Sequence, residues 1–389
     1  MIRKIHNSNL FVSGVILVLN FCDGIRWLSL QHSNIKWNLT SLNEIGGRGI
    51  RSGIRSPCGV ARRRYGLAKL QTKLCRATME AMPHVEAAAS LASTTCKTIF
   101  QNRRWNCSSI DKAPFLTPEL TRATREQAYV YAISAASLTF TMAKACASGS
   151  LHHCTCANPP KEPPGENFKW GGCGDNIRWG SNFAKKFVDT VEKFNAKSTR
   201  DDDNLELQQE IKTYHDRKMA KLKGHIATIN LHNNKIGRKI ILENLKTQCK
   251  CHGVSGSCSI KTCWKSLSSI DDIGEQLLRK FTTAKEIQKR HVLIEGKDGE
   301  RNLPKNELIY LMKSPDYCTK DEKLGSVGTV GRRCNVTSNG TDSCRQLCCG
   351  RGYRTVVEEK IERCQCKYYY CCYVKCKTCR TFTQIHECS

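Results

Sequence analysis

The sequence predicts an α+β, disulfide-rich chain in two parts. One is a helical N-terminal domain carrying a stapled hairpin, the other a small C-terminal domain built on a cysteine-rich β-hairpin. Three observations predict it. Of 25 cysteines, eight fall from Cys58 to Cys173, four from Cys249 to Cys263 and twelve from Cys318 to Cys388. Apolar residues at helical spacing recur between these blocks, notably Tyr129, Ile133, Ala136 and Phe140. The twelve C-terminal cysteines crowd into 71 residues, a density that replaces a conventional apolar core with covalent staples.

Each block holds an even number of cysteines, as expected where disulfides close locally. That requires an oxidising compartment, and residues 1–24 read as a secretory signal peptide with cleavage near Gly24. Arg3 and Lys4 give its positive start, and Leu10–Phe21 is an apolar run too short to span a bilayer, which takes roughly 20 apolar residues. Cys22 leaves with it. The mature chain is expected to be secreted into the extracellular space and matrix. Four Asn-x-Ser/Thr sequons, at Asn38, Asn106, Asn335 and Asn339, are candidate N-glycan acceptors there. The formal net charge is +27, from 62 Lys and Arg against 35 Asp and Glu. In that compartment the charge favours sulfated glycosaminoglycans such as heparan sulfate; no nucleic-acid motif accompanies it, and no nucleic acid is expected as partner.

In chain order, residues 25–57 show little periodicity and read as a loose N-terminal arm, and 58–284 as the helical domain. Leu67, Leu70, Leu74 and Met79 share one face of a first helical stretch that Pro83 interrupts. Thr117-Pro118-Glu119 has the make-up of a helix start, an N-cap residue with proline at the first position and an early acid, and that helix is expected to run to Ala147. Its uncharged stretch Gln127–Ala143 reads as a buried helix. Residues 197–224 are strongly polar and include Asp201-Asp202-Asp203, so they predict an inserted loop or an exposed helix. Ile236, Ile240 and Ile241 mark a further helix leading into the Cys249 hairpin. Leu277, Leu278 and Phe281 suggest a short helix after it. Residues 285–312 read as a linker, and 313–389 as the C-terminal domain.

The stretch Cys249-Lys-Cys-His-Gly-Val-Ser-Gly-Ser-Cys-Ser-Ile-Lys-Thr-Cys-Trp264 is the one the chain is organised around. Gly253 and Gly256 permit positive φ, and the serines bond their own backbone, so a tight turn is expected. If oxidised, its cysteines nest as Cys251–Cys258 inside Cys249–Cys263, and Ser255 stands on a stiff projecting loop. Gly253-Val-Ser-Gly-Ser257 is a near miss to the nucleophile elbow of serine hydrolases. However, Ser257 replaces the final glycine and no apolar strand leads in. Cys-x-Cys with His252 offers zinc-ligand types, but export favours disulfides over zinc thiolates. No catalysis, metal or cofactor is expected. In the C-terminal block, Cys364 to Cys379 looks like a hairpin with the adjacent Cys371-Cys372 at its tip, suggesting a vicinal disulfide. Tyrosines surround that tip, an exposed aromatic cluster suited to partner binding.

Arg103-Arg-Trp-Asn-Cys-Ser108, Trp170-Gly-Gly-Cys173, the Cys249–Trp264 hairpin, Cys348-Cys-Gly-Arg-Gly352 and the terminal cysteine array together resemble the Wnt family of secreted, lipid-modified signalling ligands. Phe21-Cys-Asp-Gly-Ile-Arg-Trp-Leu28 and Tyr310-Leu-Met-Lys-Ser-Pro-Asp-Tyr-Cys318 further resemble the vertebrate subclass numbered eleven. The resemblance implies a Wnt fold and palmitoleate attached to Ser255 by the acyltransferase porcupine. It also implies transport by the carrier Wntless and a two-pronged grip on the Frizzled cysteine-rich domain. One prong would present Val254, acylated Ser255 and Gly256, the other Tyr369, Tyr370, Cys371, Cys372 and Tyr373. A low-density-lipoprotein-receptor-related or tyrosine-kinase-like co-receptor is implied as well.

The resemblance further implies the pairs Cys96–Cys107, Cys146–Cys154, Cys156–Cys173, Cys249–Cys263 and Cys251–Cys258. In the last block it implies Cys318–Cys349, Cys334–Cys344, Cys348–Cys388, Cys364–Cys379, Cys366–Cys376 and Cys371–Cys372, which leaves Cys58 for Cys75. Two departures stand out. The family commonly has Trp where this chain has Tyr370, and the polar stretch 197–224 exceeds the family's usual length.

Overall fold

The computed structural model describes residues 23–37, 56–165, 168–201, 214–287 and 303–389. Residues 1–22 of the signal peptide expected over 1–24, and the sequon at Asn38, lie outside them. Among the described residues eight α-helices precede the C-terminal part: α1 (Pro57–Arg64), α2 (Lys69–Ala77), α3 (Met82–Phe100), α4 (Arg125–Ala147), α5 (Ile177–Ala184), α6 (Thr190–Asp201), α7 (Tyr214–Glu243) and α8 (Ile270–Thr282). Pro83 stands in the first turn of α3, where its missing N–H costs nothing, so it starts that helix and ends the previous stretch at Ala77.

Helix α4 is the axis of the body. It packs against α3, α5, α7 and α8, and most of its side chains are buried all round. A helix apolar on every face belongs inside protein or membrane. Among the described residues α4 alone is long and apolar enough to cross a bilayer by length and composition, and 78% of that stretch is buried inside the fold. Its alanines let neighbours come close. A Cβ at Gly237 of α7 would stand 2.0 Å from the Ala132 carbonyl oxygen, and one at Gly180 of α5 would stand 2.5 Å from that of Thr139. Phe100 ties the cluster together, edge-on to Trp105, Tyr129 and Phe281 at centroid distances of 4.8, 4.7 and 5.0 Å.

Three expectations are corrected. The helix predicted from Thr117 begins instead at Arg125, and Pro118–Leu120 forms a separate 3₁₀ turn. Ala123 is left-handed (φ 55°), its N–H is taken by the Gln127 side chain, and its carbonyl accepts from Leu311 and Met312. The helix therefore restarts after it, with Thr124 capping the Gln127 amide. The loose arm expected over 25–57 is well packed at its start. Asp23–His32 is a 3₁₀ helix whose Ile25, Trp27, Leu28 and Leu30 are buried, and Gln71 donates to the Gly24 carbonyl. The linker expected over 285–312 is partly core. β4 (Lys285–Glu286) pairs in parallel with β5 (Ile309–Tyr310), Leu308 and Ile309 are buried, and the Asn233 side chain bonds both N–H and carbonyl of Ile309. Residues 288–302 lie outside the described residues. The polar stretch 197–224 is helical at both flanks, in α6 and α7, with 202–213 likewise outside.

A three-stranded sheet rises from this body, ordered β1 (Phe168–Trp170), β3 (Lys261–Leu267), β2 (Leu245–Cys251). Beyond it comes the cysteine-rich β region: β6 (Lys320–Asp321) with β7 (Ser326–Val327), β8 (Arg333–Cys334), the short helix α9 (Cys344–Leu347), and the ribbon β9 (Tyr353–Tyr369) with β10 (Tyr373–Cys388). Its own core is Cys344, Leu347, Cys348 and Cys388 backed by Cys334, so sulfur supplies most of the buried apolar volume. The ribbon extends about 55 Å at the usual rise per residue, mostly exposed. Two strands alone are marginal in water, and here two disulfides, Cys364–Cys379 and Cys366–Cys376, staple them.

Candidate functional site

The hairpin springs directly from α7. β2 and β3 pair antiparallel from Leu245↔Leu267 to Cys251↔Lys261, which sets Cys249 opposite Cys263. Disulfides Cys249–Cys263 and Cys251–Cys258 close it one inside the other. At the tip Gly253 N–H donates to Ser257 O (2.8 Å), Gly256 N–H to Gly253 O (2.9 Å) and Ser257 N–H to Val254 O (3.1 Å). Ser255 is left-handed (φ 55°, ψ 28°), Gly256 follows at φ 78°, and both face solvent. Val254 is 90% exposed. The Ser257 and Ser259 hydroxyls bond each other at 3.1 Å. The three serines are therefore not equivalent: Ser255 is held outward in a strained conformation while the others are engaged.

The root is held by a residue the sequence reading passed over. Asp175 is buried, and its carboxylate accepts from Leu267 N–H (2.7 Å) and Ser266 Oγ (2.9 Å) and pairs with Lys144 of α4 (3.4 Å). Asp175 lies two positions beyond the Trp170-Gly-Gly-Cys173 motif. That motif runs beside β3, where a Cβ at Gly172 would stand 3.0 Å from the Trp264 ring. A carboxylate directly after a glycine-rich motif was the available signal.

The ribbon tip is the second candidate. Tyr369 and Tyr373 stack at 5.2 Å, Tyr370 is 96% exposed, and Cys371 (φ 86°) is bonded to Cys372. Cys366–Cys376 and Cys364–Cys379 staple the strands behind it, around a bulge at left-handed Gln365.

The other bonds in the structure join Cys58 to Cys75, Cys96 to Cys107, Cys146 to Cys154, Cys156 to Cys173, Cys318 to Cys349, Cys334 to Cys344 and Cys348 to Cys388. All twelve pairs are those named above. Cys334, Cys348 and Cys388 gather closely enough to suggest a metal site, but each sulfur is already in a disulfide. The hairpin likewise offers no thiolate. It has no Asp or Glu between Leu245 and Leu267 to support Ser255 as a nucleophile. Of the sequons, Asn335 and Asn339 are exposed, whereas Asn106 is half-buried and folded onto Ser108.

A family model for the Wnt family matches residues 63–389. The chain belongs to the Wnt family. It is 42% identical over 383 residues to Protein Wnt-11b-1 of Xenopus tropicalis, covering 96% of each chain. To Protein Wnt-11 of Gallus gallus it is 38% identical over 379 residues, again 96% of each. Its fold is similar to WNT8A from the solved complex of human WLS with WNT8A. The TM-score is 0.53 at 32% identity, over 80% of this chain and 95% of that one. Wnts are secreted developmental signalling ligands with many disulfides, and this chain is accordingly a ligand without cofactor or catalytic activity.

In this Wnt the hairpin and the ribbon are carried by one clamped body. Arg332, next to β8, donates to the carbonyls of Gln101 (2.8 Å), Arg103 (2.7 Å) and Arg104 (2.9 Å), and Arg104 returns a bond to Gln346 O (2.9 Å). The Arg103–Ser108 motif is thus the seat on which the cysteine-rich region rests. Replacing Arg332 with Ala removes three charge-assisted bonds at once. We expect a loss of about 2–3 kcal/mol in stability, together with faster amide exchange over 101–104 and 344–348. Unchanged exchange there would mean the disulfides alone hold the seat. Lys at 332 cannot make the forked contact and is expected to recover less than half of the loss.

Proposed function

We propose that this Wnt is acylated on Ser255 and binds the cysteine-rich domain of a Frizzled receptor through two prongs. The observation that carries the reading is the tip geometry, a serine held outward in a left-handed turn by two nested disulfides. An acyltransferase of the porcupine type would deliver palmitoleate from its coenzyme A thioester. The Ser255 oxygen attacks the acyl carbon, the C–S bond breaks, and the coenzyme leaves as thiol while an ester forms. An exposed hydroxyl on a rigid projection suits an enzyme whose active site must engulf it. Val254 and Gly256 flank the ester in the receptor groove. The second prong offers Tyr369, Tyr370, Cys371, Cys372 and Tyr373. There the phenol of Tyr370, at a position where the family commonly has Trp, adds a hydroxyl to the aromatic contact and bears on receptor preference.

A hydrophobic ester makes a carrier necessary, and the similarity to WNT8A solved with WLS supports Wntless in that role. The net charge of +27 supports retention by heparan sulfate in the extracellular matrix. A low-density-lipoprotein-receptor-related or tyrosine-kinase-like protein completes the receptor. Exposed Asn335 and Asn339 are the favoured glycan sites. In the same reading residues 1–24 are a signal peptide, with the hairpin-bearing and finger-bearing parts as two functional units.

Mass spectrometry of the intact hairpin peptide from secreted protein tests the acylation. The expected result is an increment of one monounsaturated sixteen-carbon acyl group, lost in Ser255→Ala and retained in Ser257→Ala. An unmodified Ser255 in receptor-active protein would sink the lipid half of the proposal and leave the ribbon tip to carry binding.

A further inference from the structure

The ribbon leaves a long strand edge open. β9 is the outer strand of its sheet, ordered β8-β10-β9, so one of its edges meets no other strand among the described residues. The proline that often blunts such an edge is absent from all of Tyr353–Tyr369. The Thr381 and Thr383 hydroxyls donate to the carbonyls of Lys360 (3.3 Å) and Glu358 (3.4 Å), which therefore face β10. By antiparallel alternation the N–H and C=O groups of Glu359, Ile361 and Arg363 face the open edge. Ile361 is the middle residue of the strand and 59% exposed. Val357 (61%) and Phe382 (70%), the latter paired opposite Glu359, extend the same apolar face.

Charge along this edge is its own complement about Ile361. Laid antiparallel on itself with Ile361 opposite Ile361, the stretch Glu359-Lys-Ile-Glu-Arg363 sets Glu359 opposite Arg363 and Lys360 opposite Glu362, each twice. Centring on either neighbour brings Lys360 onto Lys360 or Glu362 onto Glu362. Lys360 already pairs with Glu362 of its own strand, and Glu359 with Arg380 at 3.3 Å, whereas Arg363 forms no ion pair among the described residues. A second copy supplies the acid that Arg363 lacks. We infer that this edge binds a second copy of the chain, β9 against β9 about a two-fold axis through Ile361, joining two ribbons into one sheet. The two apolar faces then lie on the same side and meet across the seam at Ile361. The left-handed bulge at Gln365 ends the pairing, so residues 358–364 of each copy form the seam. The inference rests neither on acylation nor on the tyrosine tip, which lies about 26 Å along the strand from Ile361.

The test uses full-length Ser255→Ala protein, so that no lipid at that position drives association and the outcome is separate from that of the acylation proposal. Sedimentation velocity is expected to show a reversible dimer at protein concentrations below roughly 100 μM. Adding Glu359→Arg sets arginine against arginine twice in the seam, and adding Arg363→Glu instead sets glutamate against glutamate. Each is expected to weaken self-association by about tenfold. An equimolar mixture of the two variants restores opposite charges at both positions, and its mixed dimer is expected to form within about threefold of the parent's affinity. Both side chains are exposed, and unchanged circular dichroism and disulfide mapping verify the fold. Amide exchange adds the register: the N–H groups of Glu359, Ile361 and Arg363 should gain protection as concentration rises, while those of Lys360 and Glu362 should not change. A monomer throughout that concentration range overturns the inference. So does a dimer that neither variant weakens, or a mixture that associates no better than its components, because the contact would then lie elsewhere.

Discussion

Ser255→Ala is expected to weaken binding to the Frizzled cysteine-rich domain by at least about 100-fold, while the protein folds normally. Each buried methylene contributes about 0.8 kcal/mol, so a sixteen-carbon chain in a groove represents on the order of 10 kcal/mol before ordering and desolvation costs. Even if those costs consume two-thirds of it, about 3 kcal/mol remains, more than a factor of 100. The mutation removes only a hydroxyl from an exposed tip whose turn is set by backbone bonds and two disulfides, so stability should hardly change. Ala tolerates φ 55° less well than glycine, and Ser255→Gly provides the strain-free control. Ser257→Ala and Ser259→Ala lose one mutual bond at 3.1 Å and should bind as wild type. Surface plasmon resonance on the immobilised receptor domain reads all four variants. Equal affinity for Ser255→Ala and wild type would transfer the binding energy to the ribbon tip and its tyrosines.

The hairpin was legible in the sequence because its determinants are local: glycine at the turn, cysteine at alternating strand positions, and no apolar neighbours to compete. The ribbon tip was legible for the same reason. What escaped was set by distant partners. Nothing near Thr117 says that Ala123 will turn left-handed, because the carbonyl that anchors it bonds to Leu311 and Met312. Nothing near Trp27 says that it will be buried against Phe187, since its own segment lacks a clear apolar period. Leu308-Ile309 looked like the end of a charged linker until Asn233, 76 residues earlier, supplied both backbone bonds. Asp175 belongs to the same group, a carboxylate whose purpose appears only when the hairpin root folds over it.

Arg238→Met is expected to cost about 3–5 kcal/mol of stability, the second large effect. Arg238 on α7 makes a forked pair with Asp189, Nη1 to Oδ1 at 2.9 Å and Nη2 to Oδ2 at 2.8 Å, and both residues are buried. Asp189 closes the single π-helical turn Lys185–Asp189 between α5 and α6, the irregularity that lies against α7, and Asn234 adds a third bond at 3.2 Å. Removing the guanidinium leaves a carboxylate facing the core with one amide donor, and desolvation dominates that cost. The double variant Asp189→Leu with Arg238→Met removes both charges and is expected to recover most of the loss, because a buried pair does little better than well-packed apolar side chains. Urea denaturation with disulfides intact measures all three proteins. An Arg238→Met loss below about 1 kcal/mol would mean that water reaches Asp189 and the site is not dry. The functional consequence follows from chain order. α7 ends at Glu243 and β2 starts at Leu245, so the helix that Arg238 locks is the arm on which the hairpin is carried. Loosening it should widen the range of positions open to Ser255 relative to the ribbon tip. A two-pronged grip depends on that spacing, so the single variant should lose receptor affinity beyond what its folded fraction explains, and the double variant should regain it.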